Sequence, residues 1–550
     1  MIVRKTWEIR IATLAASLVW CCVLTLSQSA EAGGSSTGLI PITELPPKTY
    51  QGFEGGLYPG GVNEPPAAHL AAGLERAGLV QPRNTNGDPD PDGFIAMISI
   101  GMSSTAQEFG LFERQEDLNT ARNGRVLIIN TAQGGQAASV IANPAAAYWD
   151  LVDERLAGNG LTPPQVQIAW LKEANALPPD NFPVHAEELS ADLRAIVQIL
   201  KDRFPNIELC YLSSRIYAGY AQGPLNPEPQ AYESGFAVKW LIEDQINGDP
   251  DLNFDPDAGP IEAPWLAWGP YLWADGLVPR ADGLIWEESD FESDGVHPSP
   301  SGEQKVADML SAFFAVDPTA RKWHPARPGV ALRSVDPVAD AHVLQSRPKQ
   351  NFGDANELHI GAQSQASNIY VKFAIGGITE PILFAKLSFR VSSNATAPTA
   401  QVFPVEDDSW TEAGITWANA PPFVGRPVAV TAGCSRDGSV SADVTQAVRD
   451  RPDDMISLGL VTESRDDGAL VSREGLQPPR LILLVEPQGG PGDLDGDGDV
   501  DVADYALFLF CFTGPNGGPA SQGCSPVDFE PDGDIDLADF GQFQLVFTGS

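Results

Sequence analysis

Between residues 94 and 316 the apolar positions alternate between two patterns. Short unbroken apolar runs occur at FIAMISI (94–100), RVLIIN (125–130), QVQIAWL (165–171) and IELCYLSS (207–214). The stretches between them are amphipathic with a helical period. In 186–204, for example, Leu189, Leu193, Ile196, Val197 and Leu200 share one face. A strand that is apolar throughout is covered on both sides. Such strands alternating with amphipathic helices predict a three-layer α/β domain with a parallel sheet. From about Ser334 to Glu486 the runs shorten to YVKFAI, KLSFRVSS, AQVFPV, ISLGLV and RLILLV, set between turns. That pattern predicts an antiparallel β-sandwich. Pro487-Gln488-Gly489-Gly490-Pro491 interrupts all periodicity, so 487–492 is expected to be a linker. Residues 493–550 repeat themselves at an offset of 35, with Phe508 over Phe543 and Phe512 over Phe547. The i, i+4 spacing of each aromatic pair predicts a small all-α module, a helix after each half with its aromatic stripe in a shared core.

The N-terminus has a different pattern. Arg4, Lys5 and Arg10 precede an apolar stretch from Ile11 to Leu26, and Ala30-Glu31-Ala32 offers a small-residue cleavage site. Residues 1–32 are therefore expected to be a signal peptide, leaving Gly33 as the mature end of a secreted or extracytoplasmic protein, with cell-surface attachment open. The apolar stretch is short for a membrane span, and no transmembrane segment is expected after cleavage. With a formal net charge of -39, nucleic acid and anionic membranes are repelled. In an oxidising compartment, Cys511 and Cys524 are the expected disulfide pair, and Cys210, within an apolar strand, a buried thiol.

Charge is most organised at the chain's end. DLDGDGDVDVAD begins at Asp493 and DFEPDGDIDLAD at Asp528. Each places oxygen side chains at loop positions 1, 3, 5, 9 and 12 with glycine at 6, the spacing by which one turn of backbone wraps Ca2+. The expected ligands are Asp493, Asp495, Asp497, Asp501 and Asp504 in the first loop. In the second they are Asp528, Glu530, Asp532, Asp536 and Asp539. Asp499 and Asp534, at position 7, would offer backbone carbonyls.

In the α/β region, Gly101-Met102-Ser103 follows the first strand, Gly134-Gly135 the second, and Lys172-Glu173-Ala174-Asn175 the third. Asp294-Gly295-Val296-His297 stands near the domain's end. Loops after parallel strands gather at one edge of the sheet. A serine is a poor nucleophile until a base takes its proton. His297 fits that role, with Asp294 orienting the imidazole. A backbone N–H at Gly135 and the Asn175 amide would stabilise an oxyanion. No G-x-S-x-G elbow is present.

These residues resemble the SGNH (GDSL-type) hydrolases, a family of esterases and lipases. The resemblance implies a flavodoxin-like fold over the domain taken as 33–330, and a triad of Ser103, His297 and Asp294. Met102 replaces the usual aspartate before the serine. Asn175 lacks the family's glycine two residues ahead and its following aspartate. Residues 334–486 resemble the DNRLRE-type modules, on Asp340-Ala341-His342-Val343, Asn351-Phe352-Gly353, Trp410-Thr411-Glu412, Ile415-Thr416-Trp417 and Asp443-Val444-Thr445. That family includes polysaccharide-binding sandwiches, although Trp410 and Trp417 read first as core residues. The paired loops of 493–550 resemble a dockerin, which implies two Ca2+ ions and a cohesin-type partner. The combined expectation is a secreted serine esterase acting on ester groups of polysaccharides. The alternative is a non-catalytic carbohydrate-binding or scaffold protein that keeps the fold.

Overall fold

The computed structural model describes residues 35–549 except 178–180, 363–365, 393–394, 435, 437, 452–453, 488, 516 and 522. The expected signal peptide and its cleavage site lie outside the described residues, as does Gln488 of the linker. Among the described residues no helix is long and apolar enough to cross a membrane.

Five parallel strands form the first sheet: β1 Ile95–Gly101, β2 Val126–Ile129, β3 Val166–Lys172, β4 Leu209–Leu212 and β5 Trp265–Trp268. Their order is β2-β1-β3-β4-β5, the flavodoxin-like doubly wound order. Every residue of all five strands is buried, as a sheet covered on both faces requires. The helices used below are α1 Ser103–Glu116, α2 Ala138–Ile141, α3 Val184–Arg203, α4 Gln230–Ile246 and α5 Pro300–Val316. Helix α1 packs on α5, and α3 on α4. The expected face of α3 is the buried one, from Leu189 to Leu200. Strand β5 was missed in the sequence because no helix-period stretch of its own directly follows WLAW.

The sandwich has a five-stranded and a four-stranded antiparallel sheet. Its first strand is Ala331–Val335, so the expected start at 334 falls inside a strand. Trp410 is buried and donates from its indole N–H to Ser457 Oγ at 3.0 Å, as a core tryptophan does. The motif acids Asp340 and Glu412 meet around Arg473. Its backbone N–H reaches Asp340 at 2.8 Å and its guanidinium reaches Glu412 at 2.7 Å.

The sandwich is joined to the α/β domain by buried charge. Lys386 Nζ bonds Glu113 at 3.2 Å and Asp117 at 2.7 Å, both from α1 or its C-cap. Arg390 Nη2 reaches both oxygens of Glu303 on α5 at 2.7 Å. Leu332, Phe384, Ile482 and Leu484 complete the core of the neighbouring domain.

At the chain's end are two helices, α6 Val502–Cys511 and α7 Leu537–Val546. Phe508 and Phe543 meet between them at 5.0 Å. Phe512 and Phe547 lie one residue beyond the helix ends and remain 40% exposed, so the expected stripes contribute only their first member to the core. Cys511 and Cys524 are disulfide-bonded, and Cys210 is a buried thiol whose ionisation burial opposes.

Candidate functional site

Strand β1 ends at Gly101, where a side chain could not fit. A Cβ would stand 2.4 Å from Lys172 O and 2.5 Å from Thr105 Oγ1. The chain turns through Met102, and Ser103 becomes the first residue of α1. No side chain caps this helix, so the first-turn N–H groups beside Ser103 keep their partial positive charge for other use.

His297 reaches Ser103 from 194 residues away in sequence. A tight turn presents it. Gly295 has φ +67°, and a Cβ there would meet Tyr220 O at 1.9 Å. Asp294 Oδ1 accepts from the N–H groups of Val296 at 2.9 Å and His297 at 3.0 Å. Its Oδ2 lies 2.6 Å from His297 Nδ1, and His297 Nε2 lies 2.8 Å from Ser103 Oγ. The carboxylate fixes the tautomer: Nδ1–H donates to Asp294, leaving Nε2 to accept the serine proton. Burial pushes the Asp294 carboxyl up, but the hydrogen bonds from the His297 side chain, the His297 N–H and the Val296 N–H outweigh it. The group titrates below its ordinary range. Ser103, His297 and Asp294 are thus brought together as the sequence predicts.

The two expected oxyanion donors are placed elsewhere. Asn175 spends its amide on the scaffold. Its Nδ2 donates to Asp192 at 2.6 Å and its Oδ1 accepts from the Ser139 N–H at 2.8 Å, holding α2 against the loop after β3. Gly135 is exposed in a turn with φ +79°. Neither lines the cavity in front of Ser103, which is formed by residues including Ser103, Glu173, Arg215, Leu225 and His297. Asp192 and the Ser139 N–H occupy the Asn175 amide, and its neighbour Glu173 lines the cavity instead.

Four polar residues in and beneath this cavity were not found from the sequence. Lys172 and Glu108 form a buried pair with Nζ at 2.7 and 2.5 Å from the two carboxylate oxygens. Glu173 and Arg215 are buried as well, at 3% and 6% exposure. The only sequence signal was a charged pair directly after an unbroken apolar strand.

At the chain's end the two loops are built alike. Asp504 Oδ1 accepts from the N–H groups of Leu494 and Asp495, and Oδ2 from Asp501. Asp539 repeats this with Phe529, Glu530 and Asp536. Asp493, Asp495 and Asp504 each bring a carboxylate oxygen within 4.8 Å of the others, as do Asp534, Asp536 and Asp539. Asp499 Oδ1 and Asp528 Oδ1 are buried without hydrogen-bond partners. Hard oxygens converging, with one in each loop left orphaned, fit Ca2+ in donor type and arrangement. Asp497, Asp499, Glu530 and Asp532 lie in the same two turns.

Residues 331–484 match the family model described as carbohydrate-binding module family 96, a segment well under half of the chain. No curated protein matches the chain. Among solved structures, a carbohydrate esterase family 3 from Talaromyces cellulolyticus is 14% identical, with 40% of this chain and 95% of that one covered and a TM-score of 0.26. A two-domain esterase active on acetylated mannans is 13% identical over 76% of this chain and 95% of that one, with a TM-score of 0.24. A salicylyl-acyltransferase from a tetracycline biosynthetic pathway is 17% identical, with 42% of this chain and 58% of that one covered and a TM-score of 0.24. All three are loose likenesses.

Proposed function

We propose that residues 33–330 form an SGNH-type serine ester hydrolase within a secreted modular protein, acting on acyl esters of polysaccharide. One observation carries this reading: Ser103, His297 and Asp294 stand in a continuous relay, at 2.8 and 2.6 Å, beside the carboxyl edge of a parallel sheet. Ser103 Oγ attacks the ester carbonyl as its proton passes to His297 Nε2. Asp294 stabilises the imidazolium, which then protonates the departing sugar oxygen so that it leaves as the alcohol. Water, deprotonated by the same imidazole, releases the acyl group from Ser103.

The match of 331–484 to a carbohydrate-binding module supports polymer as the substrate, held near the pocket by the sandwich. The finer assignment of that sandwich is to the DNRLRE-type modules. Residues 493–550 are proposed to be a dockerin-like, calcium-dependent tether for a cohesin-type protein. Two Ca2+ ions, when bound, would neutralise the acidic turns that Asp504 and Asp539 tie together.

Hydrolysis of p-nitrophenyl acetate and acetylated xylan by the wild type and Ser103→Ala tests the proposal. The variant is expected to lose at least about 10⁴-fold in kcat, and equal rates would remove the serine mechanism. The binding-only reading draws on the engagement of Asn175 with Asp192 and Ser139. It prevails if the folded wild type hydrolyses neither ester.

A further inference from the structure

In the order β2-β1-β3-β4-β5 the chain reverses direction across the sheet between β1 and β3. Ligands in such sheets bind in the crevice at that point. Ser103 stands two residues past the end of β1, and Glu173 immediately past the end of β3. The two line the same cavity, of about 30 Å³. A carbonyl oxygen under attack by Ser103 Oγ would stand in that cavity.

Glu173 is the carboxyl at this site without a full set of partners. Glu108 has Lys172 on both oxygens. Glu228, the strongest attraction on the buried Arg215, accepts from Trp273 at 2.8 Å, Ala218 at 2.9 Å and Tyr232 at 3.0 Å. Asp294 has His297. In Glu173, Oε2 accepts from the Ala174 N–H at 2.8 Å, while Oε1 is buried with no hydrogen-bond partner. An ionised carboxylate in that state is costly, so the group holds a proton instead. Burial pushes the Glu173 carboxyl well above the usual range. The Ala174 N–H, then Lys172, Arg215 and the Ala138 N–H, pull only partly the other way. A neutral carboxyl at this place is an O–H donor among the residues that line the cavity of Ser103, where the expected amide donor is absent.

We infer that Glu173 is a further catalytic residue: its carboxyl O–H donates to the carbonyl oxygen of the bound ester, and more strongly to the oxyanion formed when Ser103 attacks. The inference rests on Ser103 being the nucleophile. The proton stays on Glu173 throughout, since the relay through His297 carries the one that is transferred. First-turn N–H groups of α1 supply the remaining donors.

The test uses the full chain and p-nitrophenyl acetate, with kcat and KM measured from about pH 6 to 10. Glu173→Ala is expected to lower kcat about 10²- to 10³-fold with KM little changed, the cost of one oxyanion donor. Glu173→Gln, whose amide N–H can donate from the same place, should stay within about tenfold of the wild type. A group with a raised pKa is neutral below that value and ionised above it. Wild-type kcat should therefore fall as pH rises through it, and Glu173→Gln should lack that alkaline fall. A Glu173→Ala enzyme with kcat within a few-fold of the wild type overturns the inference. So does a Glu173→Gln enzyme that keeps the alkaline fall. If Glu173→Ala does not fold, the Gln variant and its pH profile decide. Ser103→Ala, assayed in parallel, separates the outcomes: if it is active, the serine reading itself has failed.

Discussion

The pocket at Ser103 and the loops at the chain's end both gather carboxyl groups, and they neutralise them differently. Around the pocket the acids are answered one by one: Glu108 by Lys172, Asp294 by His297, and Glu228 by three N–H donors. Glu173, with backbone N–H groups alone, is left to a proton. In the terminal loops the acids crowd within single turns of backbone. Burial, followed by the charges of Asp504, Asp497 and Asp493, pushes Asp495 up to about 6. Protons added singly would neutralise the charge but leave the carboxylates nothing to converge on. A divalent cation serves them together. An isolated buried carboxyl therefore points to a hydrogen-bond donor, and a converging set points to a metal.

If that contrast holds, chelation should act on one region alone. Removing calcium is expected to abolish the ordered helices α6 and α7, read as lost far-UV ellipticity, while esterase kcat stays unchanged. Asp504→Ala should weaken calcium binding by more than about tenfold in a calorimetric titration. Loss of activity together with helicity would show that the two regions are not independent. One-by-one pairing makes the opposite demand on the first two domains. Lys386→Met leaves Glu113 buried without its ion-pair partner and Asp117 with only Arg122 at 3.8 Å, and should cost about 3–5 kcal/mol in urea denaturation. A neutral result would mean that these acids take up protons as readily as Glu173. The smallest effect concerns Asp294. Its carboxyl titrates lower in the folded chain than in the unfolded one, so it adds stability above the ordinary aspartate range, and this is lost as pH falls through the folded value. Asp294→Asn should flatten the acid side of the stability curve. The effect is under about 1 kcal/mol, because the side chain is partly solvated.

The parallel sheet was legible because each of its first four strands is an unbroken apolar run flanked by helix-period stretches. β5 was not, since no helix-period stretch directly follows it. Ser103, Asp294 and His297 were legible because their chemistry depends on residue type and chain order. The oxyanion donors depend on where a loop side chain turns, and the competing acceptor Asp192 lies 17 residues beyond Asn175. Glu173 was hidden for a different reason: a glutamate after a strand reads as solvated loop unless the cavity above it is known. The buried pairs of Lys386 and Arg390 join residues more than 80 positions apart, beyond any local pattern.

Helix α1 bears Ser103 at its first residue and Glu113 near its last turn, and Glu113 is held by Lys386 of the sandwich. A recombination breakpoint near 330 would strand that lysine's carboxylates and strip Leu332 and Leu484 from the neighbouring core. A breakpoint in the proline- and glycine-rich stretch after 486 would instead part Arg333 from the carbonyls of Asp495 and Gly496, and Arg327 from the Phe510 ring. The unit that buried charge holds whole is therefore the α/β domain with its sandwich, and the acidic repeat is joined to it through Arg327 and Arg333.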